Sequence, residues 1–269
     1  MTKSSETISF SFGKNWKSYL NTVSEREIQM AGADIEEWLG KDSVRGKSVL
    51  DIGSGSGIHS LCYHLLGAGE LTSFDYDIHS VEATKQLWEK TGRPSHWKVF
   101  RGSILDKHLP AVLGTFDIVY SWGVLHHTGA MWEAIGNACE YVKPGGLFWI
   151  ALYVKGSRYP TDLALKQKYN RSGPIGKRLM EFKFIRDEMK RRFHQGKNPL
   201  AWNQKKERGM NVYHDIIDWL GGLPYEVATS QETIDFCKER GFSQIKIYET
   251  GEGGNNIYLF EKNGHRNGS

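Results

Sequence analysis

Val49-Leu-Asp-Ile-Gly-Ser-Gly-Ser-Gly57 decides how this chain folds. Val49, Leu50 and Ile52 have the apolar, β-favouring character of a buried strand. Gly53, Gly55 and Gly57 follow at every second position and remove each Cβ from the turn, so a ligand can lie against bare backbone there. A helix over 57–67 is expected next, its first N–H groups turned toward the same spot. A dinucleotide fingerprint places its third glycine at position 58, and this chain has Ile58. A nicotinamide dehydrogenase is therefore disfavoured.

Outward from this turn, strand and helix patterns alternate. Strands are expected at 48–52, 71–75, 97–101, 116–121 and 147–154, with helices at 57–67, 79–91 and 129–142 between them. A further helix at 230–240 and strands at 243–249 and 256–262 close the chain. Such alternation indicates a parallel sheet covered on both faces. Before the sheet, Ser24-Glu-Arg-Glu27 has capping-box spacing, and Ile28, Ala31, Ile35 and Leu39 recur at helical intervals. The organisation read from this is an arm and helix over 1–45, a core over 46–154, a helical insertion over 155–228, a closing unit over 229–262 and a polar, disordered tail over 263–269.

Bulk composition narrows the class. Of the 269 residues, 39% are hydrophobic and 25% charged, which excludes fibrous and disordered chains. Cys62, Cys139 and Cys237 lie far apart without metal-ligand spacing and read as reduced core thiols. No charged-then-apolar leader opens the chain, and its longest apolar run, Leu147 to Val154, is strand-sized. A cytoplasmic protein is expected. The net charge of +4 hides an asymmetry: residues 155–208 hold 16 Lys and Arg against 5 Asp and Glu. A segment at +11 suggests an anionic partner, whether a phosphate- or carboxylate-bearing small molecule, a lipid headgroup or nucleic acid, or else a solvated face.

Four segments in register carry a resemblance. They are the glycine turn, Leu71-Thr-Ser-Phe-Asp75, Phe116-Asp-Ile-Val-Tyr-Ser-Trp-Gly-Val-Leu-His-His127, and Val142-Lys-Pro-Gly-Gly146 before its apolar run. Together they resemble the class I S-adenosylmethionine-dependent methyltransferases over roughly 48–154. Phe10-Ser-Phe-Gly-Lys-Asn-Trp16 and Met210-Asn-Val-Tyr-His-Asp-Ile-Ile-Asp-Trp-Leu-Gly-Gly222 extend the likeness toward a bacterial small-molecule subgroup. The resemblance implies a Rossmann-like, seven-stranded, mostly parallel sheet with helices on both faces. It also implies an N-terminal helical arm and a helical lid inserted after the fifth strand.

The same resemblance implies S-adenosyl-L-methionine as cofactor and a role for each matching position. Gly53, Ser54 and Gly55 pass the methionine portion while Asp51 fixes the loop. Asp75 accepts from the ribose hydroxyls beside Tyr76. Ser103 and Ile104 meet the adenine, although Ser103 stands where the family often has Asp. Ser121 and Trp122 line the reaction side, and Trp16, with Lys14 and Asn15, closes over the cofactor; Phe12 pins the arm.

His127, then His126, are the first candidates for the base that takes the acceptor's proton, because imidazole titrates near neutral pH. His214 and Asp218, one helical turn apart, are the second pair. Tyr153, Tyr213 and Asp215 are the acceptor-binding candidates, and no metal is expected. The function this points to is O-methylation of a sugar, glycan or secondary metabolite, with the basic lid favouring an anionic acceptor. Methylation of RNA and a non-catalytic binding module are the rival readings.

Overall fold

A computed structural model describes residues 25–203 and 212–264. The arm around Trp16, with Phe12, Lys14 and Asn15, lies outside the described residues, as do Ser24, Met210, Asn211 and 265–269.

Helix α1 (Glu25–Leu39) leads into β1 (Ser48–Ile52), α2 (Ile58–Leu65), β2 (Glu70–Asp75), α3 (Ile78–Lys90) and β3 (Trp97–Arg101). Then come α4 (Leu109–Leu113), β4 (Phe116–Trp122), α5 (Met131–Glu140) and β5 (Val142–Tyr153). The seven strands stand in the order β3-β2-β1-β4-β5-β7-β6, where β6 spans Phe242–Tyr248 and β7 Asn255–Lys262. All pairings are parallel except those of β7, which runs antiparallel to both β5 and β6. Strand order reverses beside β1, which pairs with β2 on one side and β4 on the other. Open α/β sheets bind ligands at such a reversal.

Side-chain alternation along β1 divides the core. Leu50 and Ile52 face a cluster with α5 and α9 (Ser230–Glu239), while Val49 faces Ile35, Ile58 and Leu61 of α1 and α2. The expected helix 129–142 is shorter because Gly129 has φ 77° and Ala130 is non-helical. The last parallel strand begins earlier than expected: Val142 pairs with Phe116, and a register shift follows before Ile118 meets Leu147.

Between β5 and α9 lies the helical insertion, α6 (Tyr159–Arg171), α7 (Pro174–His194) and α8 (Val212–Gly221). Pro174 starts α7 at a position where its missing N–H costs nothing. These helices bury a small core of their own around Tyr169, Val212, Ile216 and Leu220.

Candidate active site

At the strand reversal the carboxyl ends of β1, β2 and β4 open into a cavity of about 1300 Å³. That exceeds the ~300–1,000 Å³ of most small-molecule sites and leaves room for two ligands side by side. Its floor is the glycine turn. Gly53 and Ser54 N–H donate to the Phe74 carbonyl at 2.8 and 3.1 Å, tying the turn to β2.

The glycines at 53 and 57 are also required by packing within the protein. A Cβ on Gly53 would lie 2.5 Å from the Val124 side chain, and one on Gly57 would lie 2.8 Å from Thr84 Cα. Both have positive φ, 76° and 79°. The turn needs glycine there to pack against its own protein. Gly57→Ala should therefore destabilise the fold by at least about 2 kcal/mol, combining left-handed strain with a backbone clash. A urea midpoint unchanged from wild type would contradict this.

Beneath the turn, Asp51 is buried and accepts from the Ser60 hydroxyl. Ser60 lies 2.8 Å from Ser73, which accepts from Trp97 Nε1 at 3.0 Å. Each hydroxyl has one proton, so the chain runs from Trp97 through Ser73 and Ser60 to the carboxylate.

Asp75 ends β2 beside the same turn. Its Oδ2 accepts from Gly55 N–H at 3.0 Å and its Oδ1 from Asp77 N–H at 2.9 Å. The Ser80 hydroxyl also bonds this carboxylate, which still lines the cavity with acceptor capacity toward a ligand hydroxyl. Burial, opposed by these backbone bonds, raises its carboxyl to about 6. Tyr76 is exposed and stands under Arg101, whose guanidinium lies 5.6 Å from the ring and donates to the Tyr76 carbonyl. Ser103 and Ile104 line the neighbouring wall, and the Ser103 hydroxyl accepts from Leu105 N–H.

The far wall combines the β4 loop with the insertion. His127 lines it, and so do Trp122, Tyr153, Asp215 and Asp218. His127 Nδ1 lies 2.6 Å from the Pro224 carbonyl. A carbonyl only accepts, so Nδ1 carries the proton and Nε2 of the neutral ring does not. Burial lowers its pKa to about 3, and the Lys166 charge adds to this.

Four candidates do not line the cavity. His126 is buried behind His127, where its Nδ1 accepts from Tyr153 N–H at 3.3 Å and its ring packs 4.1 Å from Tyr153. Ser121 is fully buried and donates to the Ile52 carbonyl, stitching β4 to β1. His214 is buried off the cavity wall, although Asp215 and Asp218 on the same helix reach it. Tyr213 points the other way, donating to Glu181 and accepting from Arg178.

The charge of the insertion over 155–228 led to the expectation of an anionic acceptor. Its described residues contribute Phe184, Asp215, Ile216, Asp218, Trp219, Leu223 and Pro224 to the wall, and none of its described Lys or Arg lines the cavity. Among the described residues the lining holds five Asp and one Arg, Arg101. By those residues the cavity wall is acidic.

Lys166 was legible only as one more cation of the basic segment. It is fully buried, with Nζ 4.5 Å from the Trp219 and Tyr225 rings and bonded to the Trp219 carbonyl. Burial, offset by Asp162 and Asp218, lowers it to about 7. Asn255, at the start of β7, also lines the cavity, and nothing local in the sequence distinguished it.

The profile of a family described as a methyltransferase domain matches residues 49–146, from β1 into β5. Residues 49–146 are a methyltransferase domain. Among curated relatives, the chain is 31% identical to ribosomal protein L11 methyltransferase of Pseudomonas putida, over 41% of this chain and 35% of that one. It is likewise 31% identical to ubiquinone biosynthesis O-methyltransferase of a Methylobacterium species, over 42% and 43%. The alignments thus span less than half of these curated relatives. The fold is shared with magnesium protoporphyrin IX methyltransferase of Synechocystis PCC 6803, at TM-score 0.56, 14% identity and 93% of each chain. The pyocyanin biosynthetic protein PhzM shares it at TM-score 0.50 and 14% identity, over 87% of this chain and 55% of PhzM.

Proposed function

We propose that this chain methylates a hydroxyl oxygen of a small, uncharged, polyhydroxylated acceptor, using S-adenosylmethionine. One observation carries the reading: a doubly tethered carboxylate and an unprotonated imidazole nitrogen line the same acidic cavity. The chemistry of the lining suits the donor. Asp75 offers its carboxylate to a ribose, main chain at 53–55 accommodates the methionine portion, and Ile104 beside Ser103 covers the adenine. Asp51, Asp77, Asp215 and Asp218 complement a cation.

When bound, the donor supplies a methyl group on a positively charged sulfur. The chain's own residues then have three tasks. Tyr153, Phe184 and Trp219 give flat apolar surfaces for the C–H face of a sugar-like ring, and Asp215 and Asp218 accept from its hydroxyls. His127 Nε2 receives the proton of the attacking hydroxyl, its ring held by the Pro224 carbonyl. The surrounding wall excludes water from the reacting atoms.

The acidic lining supports a neutral acceptor over a phosphorylated one, reversing the expectation drawn from the insertion's charge. The relatives' acceptors differ: one is named for ribosomal protein L11 and another for ubiquinone biosynthesis. The test is purified protein with methyl-labelled donor and, in parallel, neutral sugars, their phosphates and total RNA. Label should enter the neutral sugars. Label in RNA, or preference for the phosphates, would overturn this reading, and the absence of saturable heat with the donor in calorimetry would favour a non-catalytic module.

A further inference from the structure

The outer face of α7 has an arrangement that the cavity does not use. Ile175, Leu179 and Phe182 follow one another at i, i+4 and i+7, and Phe193 lies eleven residues further, three turns along the same stripe. Leu200 follows in the 3-10 turn Pro199–Ala201. These five apolar side chains are 65% to 80% exposed. Arg186 and Lys190 fall on the same line, with Lys183 beside it, and all three are exposed.

The helix carries seven Lys and Arg against three acids. The acids are turned away or engaged: Glu181 is buried and bonded to Tyr169, Glu188 holds Arg191, and Asp187 holds Arg186. Phe184 faces inward and lines the cavity. One helix is thus both cavity wall and outer surface.

We propose that this face docks the protein in the plane of an anionic membrane. Apolar side chains of this size would sit at the headgroup boundary, while Lys183, Arg186 and Lys190 extend their stems outward to lipid phosphates. Charge complementarity selects this occupant. A second copy would set one cationic helix against another, and nucleic acid would meet the cations but leave Ile175, Leu179 and Leu200 without a role. Among the described residues no helix is long and apolar enough to cross a membrane, so the contact is interfacial. The inference does not rest on the identity of the methyl acceptor.

The test is sedimentation of the full chain with vesicles of phosphatidylcholine alone or mixed equally with phosphatidylglycerol, at about 0.1 M salt. Binding is expected to the anionic vesicles alone and to weaken as salt is raised. The double variant Leu179→Asp, Phe182→Asp should partition at least about tenfold less, as should Lys183→Glu, Lys190→Glu. Unchanged affinity for S-adenosylmethionine would establish that these variants fold. The proposal is overturned if wild type ignores anionic vesicles, or if folded variants bind them as well as wild type does. It is also overturned if light scattering shows a dimer that the apolar variant abolishes.

Discussion

Replacing Asp75 by alanine weakens binding of S-adenosylmethionine by about 1–3 kcal/mol, roughly 5- to 150-fold, through loss of charge-assisted hydrogen bonds to the ribose. Asp75 is oriented by Gly55 and Asp77 N–H groups and by the Ser80 hydroxyl, so its carboxylate is set in place before the ligand arrives. The effect is also pH-dependent. Its pKa of about 6 means the carboxylate gains a proton as pH falls through that value, and each protonated oxygen loses an acceptor position. Affinity should therefore hold above pH 7 and decline below 6, and Asp75→Ala should remove most of that decline. Calorimetry across this range checks both expectations; a dissociation constant that ignores the substitution would sink the assigned role.

His127→Gln should lower kcat by about 10²–10⁴-fold with little change in donor affinity. The fixed tautomer is the reason: Nδ1–H donates to the Pro224 carbonyl, which makes Nε2 the acceptor nitrogen of the ring. Because burial holds the imidazole near 3, it is neutral at every working pH, and the rate should show no inflection near 6.5 from its titration. For stability the two groups oppose each other: the raised carboxyl of Asp75 adds stability as pH falls through about 6, and His127 does the reverse. A histidine whose folded pKa is depressed remains unprotonated while the unfolded chain takes up a proton, so stability is lost as pH falls below about 6.5. His126, also held neutral by burial, acts in the same direction. A variant retaining kcat within threefold would assign the proton transfer elsewhere, with Asp218 the next group to replace.

Much of the fold was legible because its signals are local. Residues 48–52 and 97–101 form strands over the expected spans, since β-favouring residues and turn punctuation lie within a few positions of each other. Asp75 could be located by its distance along the chain from the glycine turn. Short elements escaped: Leu109–Leu113 spans five residues and buries no side chain, too little to give a periodic pattern.

Neighbouring residues in the site were harder to tell apart. His126 and His127 are adjacent, yet only His127 reaches the cavity, because a 3-10 turn and the returning Leu223–Pro224 segment decide which ring faces inward. Ser121 and Trp122 separate for the simpler reason that successive strand residues point to opposite faces. Sequence alone determined the alternating sheet, the glycine turn and the acid that accompanies it, because each depends on residues close together in the chain. Tertiary structure decided that Asp215, Asp218, Phe184 and Trp219 of the insertion face the cavity while Lys183, Arg186 and Lys190 lie on the outer face of α7. That orientation follows from long-range packing of α6, α7 and α8 around Tyr169, Ile216 and Leu220, which a local count of charges does not contain.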